Sequence, residues 1–103
     1  MSEEFELKRL HATPVKNSGR SKGVAKGDGI LEPFLVDVKE YDESFSVSRK
    51  VWGKLSSDAV NNGRREPMLL LALGSEDKAP VRVWVISDAM GQEMLSAWRE
   101  ING

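Results

Sequence analysis

Hydrophobic and polar positions alternate most clearly over residues 28–40 of the chain. Glu32-Pro33 predicts a tight turn between a short strand at 28–31 and a second strand at 34–40. Side chains on a strand point alternately to opposite faces. The second strand would therefore place Phe34, Val36 and Val38 on one face and Leu35, Asp37 and Lys39 on the other. The pattern predicts a hairpin with one apolar face and one face that is half apolar and half charged.

Residues 46–62 show the spacing of an amphipathic helix. The apolar stripe consists of Val47, Val51, Leu55 and Ala59, widened by Trp52. Ser46 is the predicted N-cap, and Asn62-Gly63 would end the helix. The continuous apolar run at 68–73 predicts a strand that is buried on both faces.

The C-terminal segment predicts a strand at 81–86 and a helix that begins at Ser87 or Asp88. The helix carries an apolar stripe of Met90, Met94, Trp98 and Ile101. We interpret this stripe as packing, with spare area for a dimer contact, and the three tryptophans as core or interface residues. Residues 1–13 fit a short helix or a strand, and residues 74–80 fit a polar loop.

The element order is hairpin, helix, strand, strand, helix. A helix between two strands favours a right-handed parallel crossover. We therefore expect one α/β domain over residues 1–103, with a mixed central β-sheet flanked by helices. The basic loop would span 14–27 and the hairpin 28–40.

The charge distribution separates one segment from the rest of the chain. The net charge is only −1, but residues 7–26 contain six Lys or Arg and no acid, which leaves −7 elsewhere. This segment is suited either to binding a polyanion or to serving as a solvated tail. The chain has no cysteine, which excludes disulfides and thiolate metal sites.

No stretch resembles a membrane span or a signal peptide. The longest apolar run is far shorter than the roughly 20 residues that a spanning helix needs, and the N-terminus is acidic where a signal peptide would be basic. We expect no membrane association and a cytoplasmic location, in the host cytoplasm if the chain is phage-encoded.

The hairpin carries the strongest candidate chemistry. Asp37 and Lys39 would share a face about 6–7 Å apart, and the turn would bring Asp28 beside position 37 or 38. Two carboxylates, a backbone carbonyl and waters form an oxygen-rich site that suits Mg²⁺ or Mn²⁺. A lysine alongside could position a water or offset developing charge. An isolated Asp-x-Lys on a strand is more often a solvent-facing ion pair than a catalytic site, so the surrounding sequence must distinguish the two.

That context resembles a known family. Lys26-Gly27-Asp28-Gly29 followed by residues 33–39, Pro-Phe-Leu-Val-Asp-Val-Lys, is similar to the GD…FLxExK signature of the PD-(D/E)XK nuclease superfamily. The match is closest to small phage Holliday-junction resolvase-like endonucleases and covers roughly residues 15–75. The resemblance implies a restriction-endonuclease-like core and DNA recombination as the setting.

The resemblance also implies roles for individual residues. Asp28 and Asp37 match the two acids that bind Mg²⁺, for which Mn²⁺ may substitute, and the backbone carbonyl of Val38 would complete the protein ligands. Lys39 matches the catalytic lysine. The residues expected to contact DNA, from the resemblance together with the basic loop and helix edge, are Ser18, Arg20, Lys22, Lys26, Lys50 and Lys54.

Two features depart from the family pattern. The second acid is Asp37 where the group usually has Glu. The family also commonly supplies an acid from an N-terminal helix, and here Glu3, Glu4, Glu6 or none of them would serve. His11 lacks a His or Cys partner and is interpreted as a surface or phosphate-contacting residue.

The sequence as a whole predicts a magnesium-dependent endonuclease acting on DNA, with branched DNA as the first choice of substrate and a homodimer as the working form. Three alternatives remain. One is a nicking, flap or general DNA endonuclease, and another is a non-catalytic DNA-binding module on a nuclease fold. The third is a small interaction protein whose basic segment is only a tail.

Overall fold

The computed structural model describes residues 3–14, 28–74 and 79–103 of the chain. Its elements, in chain order, are α1 (Glu3–Arg9), β1 (Thr13–Pro14), β2 (Asp28–Leu31), β3 (Phe34–Tyr41), α2 (Arg49–Asn61), β4 (Glu66–Leu73), β5 (Val81–Val85) and α3 (Asp88–Asn102). The four longer strands form a mixed sheet that the two-residue β1 extends at one edge. The expected small α/β domain is confirmed.

The strands lie in the order β1-β2-β3-β4-β5. Strands β3 and β4 are parallel, with α2 as the connection between them, and the other neighbouring strands are antiparallel. The predicted parallel crossover is therefore present. Strand β4 begins at Glu66, two residues before the apolar run that predicted it.

The predicted hairpin is confirmed. Strand β2 pairs with β3 from Leu31↔Phe34 at the turn to Asp28↔Asp37 at the far end, and the Glu32-Pro33 peptide bond in the turn is cis. The Arg65 side chain, just before β4, donates two hydrogen bonds to the Glu32 carboxylate, at 3.1 and 2.6 Å. These contacts hold the turn beside the start of the neighbouring strand.

Each face of the sheet is covered by a different helix. On one face Leu7 of α1 packs with buried residues of β3 and β4, among them Val36, Val38 and Leu70. On the other face Leu55 and Ala59 of α2 pack with Leu35, Leu69 and Leu71. The alternation along β3 thus matches its two faces, and Asp37 and Lys39 lie on the α2 face.

The N-terminal residues form helix α1. The sequence was compatible with either a helix or a strand in this segment. Glu6 is fully buried and receives hydrogen bonds from two nitrogens of Arg82 on β5, at 2.8 and 2.9 Å. The helix also approaches β2 closely at Gly29, where an added Cβ would lie 2.6 Å from Cδ2 of Leu7 and 3.1 Å from Cβ of Ala12. Any side chain at this position would have to displace Leu7, so glycine allows the close approach of helix and sheet.

Helix α2 begins later than predicted. It starts at Arg49, and its N-cap is Ser48, whose hydroxyl accepts a hydrogen bond from the Val51 amide at 3.1 Å. The prediction of Ser46 as N-cap was wrong, because Val47 lies before the helix and is exposed instead of starting the apolar stripe. The predicted end is confirmed, since Asn62 is the C-cap and Gly63 has a φ of +88°, which favours glycine.

The C-terminal elements differ most from the prediction. Ser87 caps α3, as expected, but no residue of α3 is buried. The apolar stripe of α3, which was interpreted as a packing face, is largely exposed to solvent. Trp98 is 63% exposed and Ile101 is 82% exposed. Strand β5 is also largely exposed, including Trp84. Of the three tryptophans, only Trp52 packs against a core cluster.

Candidate functional site

The Asp28 and Asp37 side chains form the centre of the candidate site. The two residues are directly opposite each other in the antiparallel register, so their side chains leave the same face of the sheet. Their carboxyl groups are hydrogen bonded to each other. The hairpin geometry expected from the turn at Glu32-Pro33 is therefore what brings these acids together.

The two carboxyl groups share a proton near neutral pH. Burial, reinforced by the negative charge of Asp37, raises the pKa of Asp28 to about 7. Burial also raises the pKa of Asp37, although Lys39 and the hydrogen bond from Asp28 oppose that rise. Like charges that are this close disfavour double ionisation, so the protonated Asp28 donates to the Asp37 carboxylate. Ionisation of both groups would place two negative charges in a partly buried site beside one ammonium, that of Lys39.

Lys39 lies beside this pair. Its Nζ is 3.4 Å from Oδ2 of Asp37, and the lysine side chain is about one-third exposed. The two residues are separated by one position on β3, which places them on the same face. The ammonium is thus held next to the carboxyl pair while still open to solvent, where it can contact a bound anion.

The backbone carbonyl of Val38 points toward the edge of β3 at which the acids meet. The Tyr41 carbonyl accepts a hydrogen bond from Gly74, on the β4 side. Backbone groups alternate between the two edges of a strand, so the even-numbered residues of β3, including Val38, direct theirs toward the β2 side. The predicted third oxygen ligand is therefore oriented toward the same edge as Asp28.

Glu3 of α1 reaches that same edge. Its carboxylate accepts a hydrogen bond from the backbone amide of Glu40, and the charges of Lys39 and Asp37 act on it. Burial raises the pKa of Glu3, as for the two aspartates. The sequence did not distinguish Glu3 from its neighbours, because the signal is the register of α1 on the sheet, which depends on long-range packing.

Glu6 does not belong to this site. Its two oxygens are occupied by Arg82 and Arg9, and the hydrogen bonds from Arg82 hold the pKa of Glu6 below its ordinary value. The residue serves to attach α1 to β5. The side chain of Glu4 lies outside what the structure describes.

The edge of α2 brings further charged groups to the site. Lys54 and Asp58 form an ion pair of 3.2 Å along the helix. The positive charge of Lys54 lowers the pKa of Asp37, and the negative charge of Asp58 raises that of Asp28. Asp58 was not among the sequence-predicted residues, because only the folded contact between α2 and the hairpin brings it near Asp28. Lys50 lies one turn earlier on α2 and is exposed.

Four of the predicted DNA contacts lie outside the described residues: Ser18, Arg20, Lys22 and Lys26. The described part of the same segment contains exposed residues at Lys8 and His11. The basic character of the segment remains a property of the sequence.

Tyr41 is an exposed aromatic residue on the same face as Asp37 and Lys39, four positions beyond Asp37 along β3. Its ring stacks on Phe45, with a centroid distance of 5.1 Å and an interplanar angle of 29°. The sequence alone does not distinguish Tyr41, because one tyrosine at the end of a strand forms no pattern. The stack holds a ring open to solvent at one end of the charged face.

The donor atoms at the centre of the site are all oxygens, the type that Mg²⁺ and Mn²⁺ prefer. A pair of half-buried carboxyl groups that must share a proton fits a divalent cation, which would compensate both negative charges. Within residues 3–14, 28–74 and 79–103, no three His, Cys, Asp or Glu side chains form a group that could hold a metal ion. The donors present are therefore Asp28, Asp37 and the Val38 carbonyl, with Glu3 at the same edge.

No protein-family model, curated protein or solved structure matches the chain. Among the described residues, none of the helices is both long enough and apolar enough to cross a membrane.

Proposed function

We propose that this chain is a metal-dependent endodeoxyribonuclease that hydrolyses phosphodiester bonds, with branched DNA as its substrate class. The observation that carries the proposal is the pairing of Asp28 with Asp37 across the hairpin, with the Lys39 ammonium 3.4 Å from Asp37. An ordinary surface ion pair would not explain why two carboxyl groups are brought together and half-buried at the cost of a raised pKa.

Asp28 and Asp37 would hold Mg²⁺, or Mn²⁺ in its place, together with the carbonyl of Val38. When bound, the ion supplies Lewis-acid polarisation of the phosphodiester and lowers the pKa of a coordinated water. Hydrolysis forms a bond between the water oxygen and phosphorus and breaks the bond to the leaving oxygen, which takes up a proton.

Lys39 would orient the attacking water or offset the negative charge that grows on the phosphoryl oxygens. It suits this role because its ammonium is fixed beside Asp37 and is still reached by solvent. Lys54 would contribute a second positive charge from α2, at the flank of the site, where a phosphate next to the scissile one would lie.

Branched DNA is proposed from the resemblance to Holliday-junction resolvase-like endonucleases. Symmetric cutting of a junction needs two sites, and hence a homodimer. The basic segment, with Ser18, Arg20, Lys22 and Lys26, would hold flanking phosphates together with Lys50 on α2.

The test is a comparison of four DNA substrates with identical labelled strands: a four-way junction, a flap, a single strand and a plain duplex. We expect Mg²⁺-dependent cleavage of the junction by the wild-type chain and a loss of at least about 100-fold in Asp37→Asn, as for removal of a group that acts on the transition state. Asp42→Asn makes the same chemical change at an exposed position just beyond β3 and should retain activity.

The outcomes separate the alternatives. Preferential cleavage of flaps, or equal cleavage of all duplexes, would show that branched DNA is not the substrate class but that the chain is still an endodeoxyribonuclease. DNA binding that is unaffected by chelator, with no products in Mg²⁺ or Mn²⁺, would indicate a non-catalytic module. Absence of salt-dependent DNA binding would contradict the proposal altogether.

A further inference from the structure

The row of side chains that carries Asp37 and Lys39 ends in an aromatic ring. Side chains alternate along β3, so Asp37, Lys39 and Tyr41 lie on one face of the strand. In order along the strand, this row presents a carboxyl group of the acid pair, an ammonium group and a phenol ring. Tyr41 is 45% exposed and the Lys39 side chain is about one-third exposed, so solvent reaches both the ring and the ammonium.

Phe45 holds the Tyr41 ring in place. The two rings are stacked with their centroids 5.1 Å apart, and Phe45 itself packs against the core cluster that contains Leu55 of α2 and Leu71 of β4. The backbone at Tyr41 is also held, because its carbonyl accepts a hydrogen bond of 2.9 Å from the Gly74 amide. A ring that is already held in one position loses little conformational freedom when a second planar group stacks on it.

The charges around the ring favour a nucleobase over a phosphate as its ligand. The two residues that follow Tyr41 are acids, Asp42 and Glu43, and both are exposed. Negative charge repels the DNA backbone, whereas the faces of the bases are uncharged and stack on aromatic side chains whatever the sequence. Lys39, between the ring and the acid pair, is the residue of this row that is suited to a phosphate.

The distance between the ring and the acid pair fits a single strand of DNA that contacts both. Four residue steps of about 3.3 Å place the Cα atom of Tyr41 about 13 Å from that of Asp37. A stacked DNA strand advances about 3.4 Å per nucleotide along its axis. The ring therefore lies within about four nucleotides of a phosphate held at Asp37, and within fewer where the strand is extended.

We infer that Tyr41 is a stacking residue that takes up one unstacked nucleobase of the DNA strand whose phosphate lies at the Asp28–Asp37 pair. This inference rests on the proposed function, because it assigns the ring to a substrate of that same site. In an intact duplex each base is covered on both faces by its neighbours, so a base reaches the ring only after it has left the stack. Leaving the stack costs least for a mismatched or single-stranded base. Tyr41 therefore favours DNA in which a strand leaves the duplex.

Two substitutions at position 41 separate stacking on a base from packing on Phe45. Tyr41→Leu keeps an apolar side chain against Phe45 but has no ring, and Tyr41→Phe keeps the ring without the hydroxyl. The matched control is Trp84→Leu. Trp84 is exposed to a similar extent, 41%, and lies opposite Leu70 in the register of β4 and β5, which places it on the other face of the sheet, with α1.

The first measurement is the affinity for the four-way junction, the flap and the plain duplex in Ca²⁺, by fluorescence anisotropy. We expect Tyr41→Leu to weaken binding of the preferred branched DNA about five- to thirtyfold, the lower part of the range for loss of one base–aromatic stack, and to weaken duplex binding less than about twofold. Tyr41→Phe and Trp84→Leu should remain close to wild type on every substrate. The ratio between branched and duplex DNA is decisive, since a structural defect weakens both alike.

The second measurement locates the contact in the wild-type chain, so it does not depend on how Tyr41→Leu folds. 5-Iododeoxyuridine replaces one nucleotide at a time, up to about four nucleotides on either side of the branch point. Near-ultraviolet light couples this base to an aromatic ring that stacks on it, and peptide mass spectrometry identifies the residue. We expect coupling to Tyr41 from at least one position in branched DNA and from none in the plain duplex.

A loss of affinity in Tyr41→Leu that is equal for branched and duplex DNA would overturn the inference and leave the nuclease proposal standing. So would no loss in a variant that circular dichroism shows to be folded, or coupling to Trp84 instead of Tyr41. A wild type that binds no DNA would refute both proposals. Selective loss in Tyr41→Leu with coupling to Tyr41, in a chain that gives no products with Mg²⁺ or Mn²⁺, would support the stacking role and refute the nuclease.

Discussion

Asp28 and Asp37 lie directly opposite each other on neighbouring antiparallel strands and share a hydrogen bond between their carboxyl groups. This relationship lowers the free energy of unfolding of the metal-free protein, since a carboxyl with a raised pKa destabilises the fold whenever it must ionise. The destabilisation can be measured without substrate.

We expect Asp28→Asn to stabilise the metal-free protein at pH 8. Burial raises the folded-state pKa of Asp28 to about 7, so the folded state binds the proton more tightly than the unfolded chain. The associated stability is fully present below the unfolded pKa of about 3.9 and is lost as the pH rises through about 7. Because solvent still reaches the group, we discount the full shift to about 1–2 kcal/mol in the free energy of unfolding.

Urea unfolding at pH 5 and pH 8, in the presence of a chelator, measures this effect. The difference between Asp28→Asn and wild type should appear at pH 8 and shrink at pH 5, and Asp42→Asn should show no such dependence. An Asp28→Asn protein that is less stable than wild type at pH 8 would contradict the shared-proton description.

The affinity for Mg²⁺ should depend on pH with a midpoint near 7. Binding of the cation requires both carboxyl groups to be ionised, so it displaces the proton that Asp28 retains because burial raises its pKa to about 7. Below the midpoint the apparent affinity should rise about tenfold per pH unit, as for the release of one proton, and it should level off above it.

Isothermal titration calorimetry at pH 6.5, in two buffers of different ionisation enthalpy, counts the released protons. The expected value in the wild type is about 0.8, because a carboxyl group with a pKa of about 7 is about three-quarters protonated at pH 6.5. Asp42→Asn alters an exposed carboxylate just beyond β3 and serves as the control that should behave like wild type. Mg²⁺ binding with no proton release at this pH would show that the pair is already ionised.

The buried ion pair between Glu6 and Arg82 should contribute strongly to stability. Arg82→Met would leave the fully buried Glu6 carboxylate with Arg9 as its remaining cation, and breaking a buried pair costs about 3–5 kcal/mol. Because Arg82 is partly exposed, we expect a loss of about 2–3 kcal/mol at pH 7. Arg9→Met removes the more exposed partner and should cost less than about 1 kcal/mol.

The pH dependence of this loss follows from the lowered pKa of Glu6, which its hydrogen bonds with Arg82 cause. A depressed carboxyl pKa contributes stability above the unfolded value, near 4.3–4.5, which disappears as the pH falls through the folded value. The difference between Arg82→Met and wild type, measured by chemical unfolding, should therefore diminish toward pH 3. A difference that stays constant from pH 7 to pH 3 would show that packing and not charge is responsible.

Lys54 and Asp58 should change DNA affinity in opposite directions. Lys54→Ala removes a positive charge from the edge of α2 and should weaken binding about two- to fivefold. It should also lower the slope of log affinity against log salt by about 0.7–0.9. Asp58→Asn releases Lys54 from its ion pair and should strengthen binding. Arg99→Ala, which removes an exposed positive charge from the last turn of α3, is the control.

These affinities can be measured by fluorescence anisotropy with a labelled four-way junction in Ca²⁺, in place of the cleavage-supporting ion. An unchanged salt slope in Lys54→Ala, together with unchanged affinity, would remove α2 from the DNA-binding surface. A loss in Arg99→Ala equal to that in Lys54→Ala would argue for non-specific attraction.

Local patterns accounted for the hairpin and for the covered strands. The turn at Glu32-Pro33 and the alternation along β3 are determined by neighbouring residues, so the opposition of Asp28 and Asp37 could be predicted. The run at 68–73 was correctly assigned because both faces of β4 are covered, and such strands are continuously apolar.

Contacts between distant residues explain what could not be predicted. Helix α1 is held by Leu7 on the sheet and by Glu6 against Arg82, 76 residues away, and neither contact leaves a local pattern. The N-cap of α2 was misplaced because Val47 has suitable spacing for the stripe, whereas Phe45 is the residue that packs against the core. The stripe of α3 was read correctly as amphipathic, but amphipathicity does not reveal whether the partner belongs to the same chain.

Gly29 determines how low the first helix sits on the sheet. Since the space above it is filled by Leu7 and Ala12, even a single methyl group there would have to displace the Leu7 side chain, through which α1 packs on the sheet. Glu3 is one helical turn from Leu7 and would move with it, while the register between the two aspartates would be preserved. The absence of a side chain at Gly29 thus influences the distance of the Glu3 carboxylate from the carboxylates of Asp28 and Asp37.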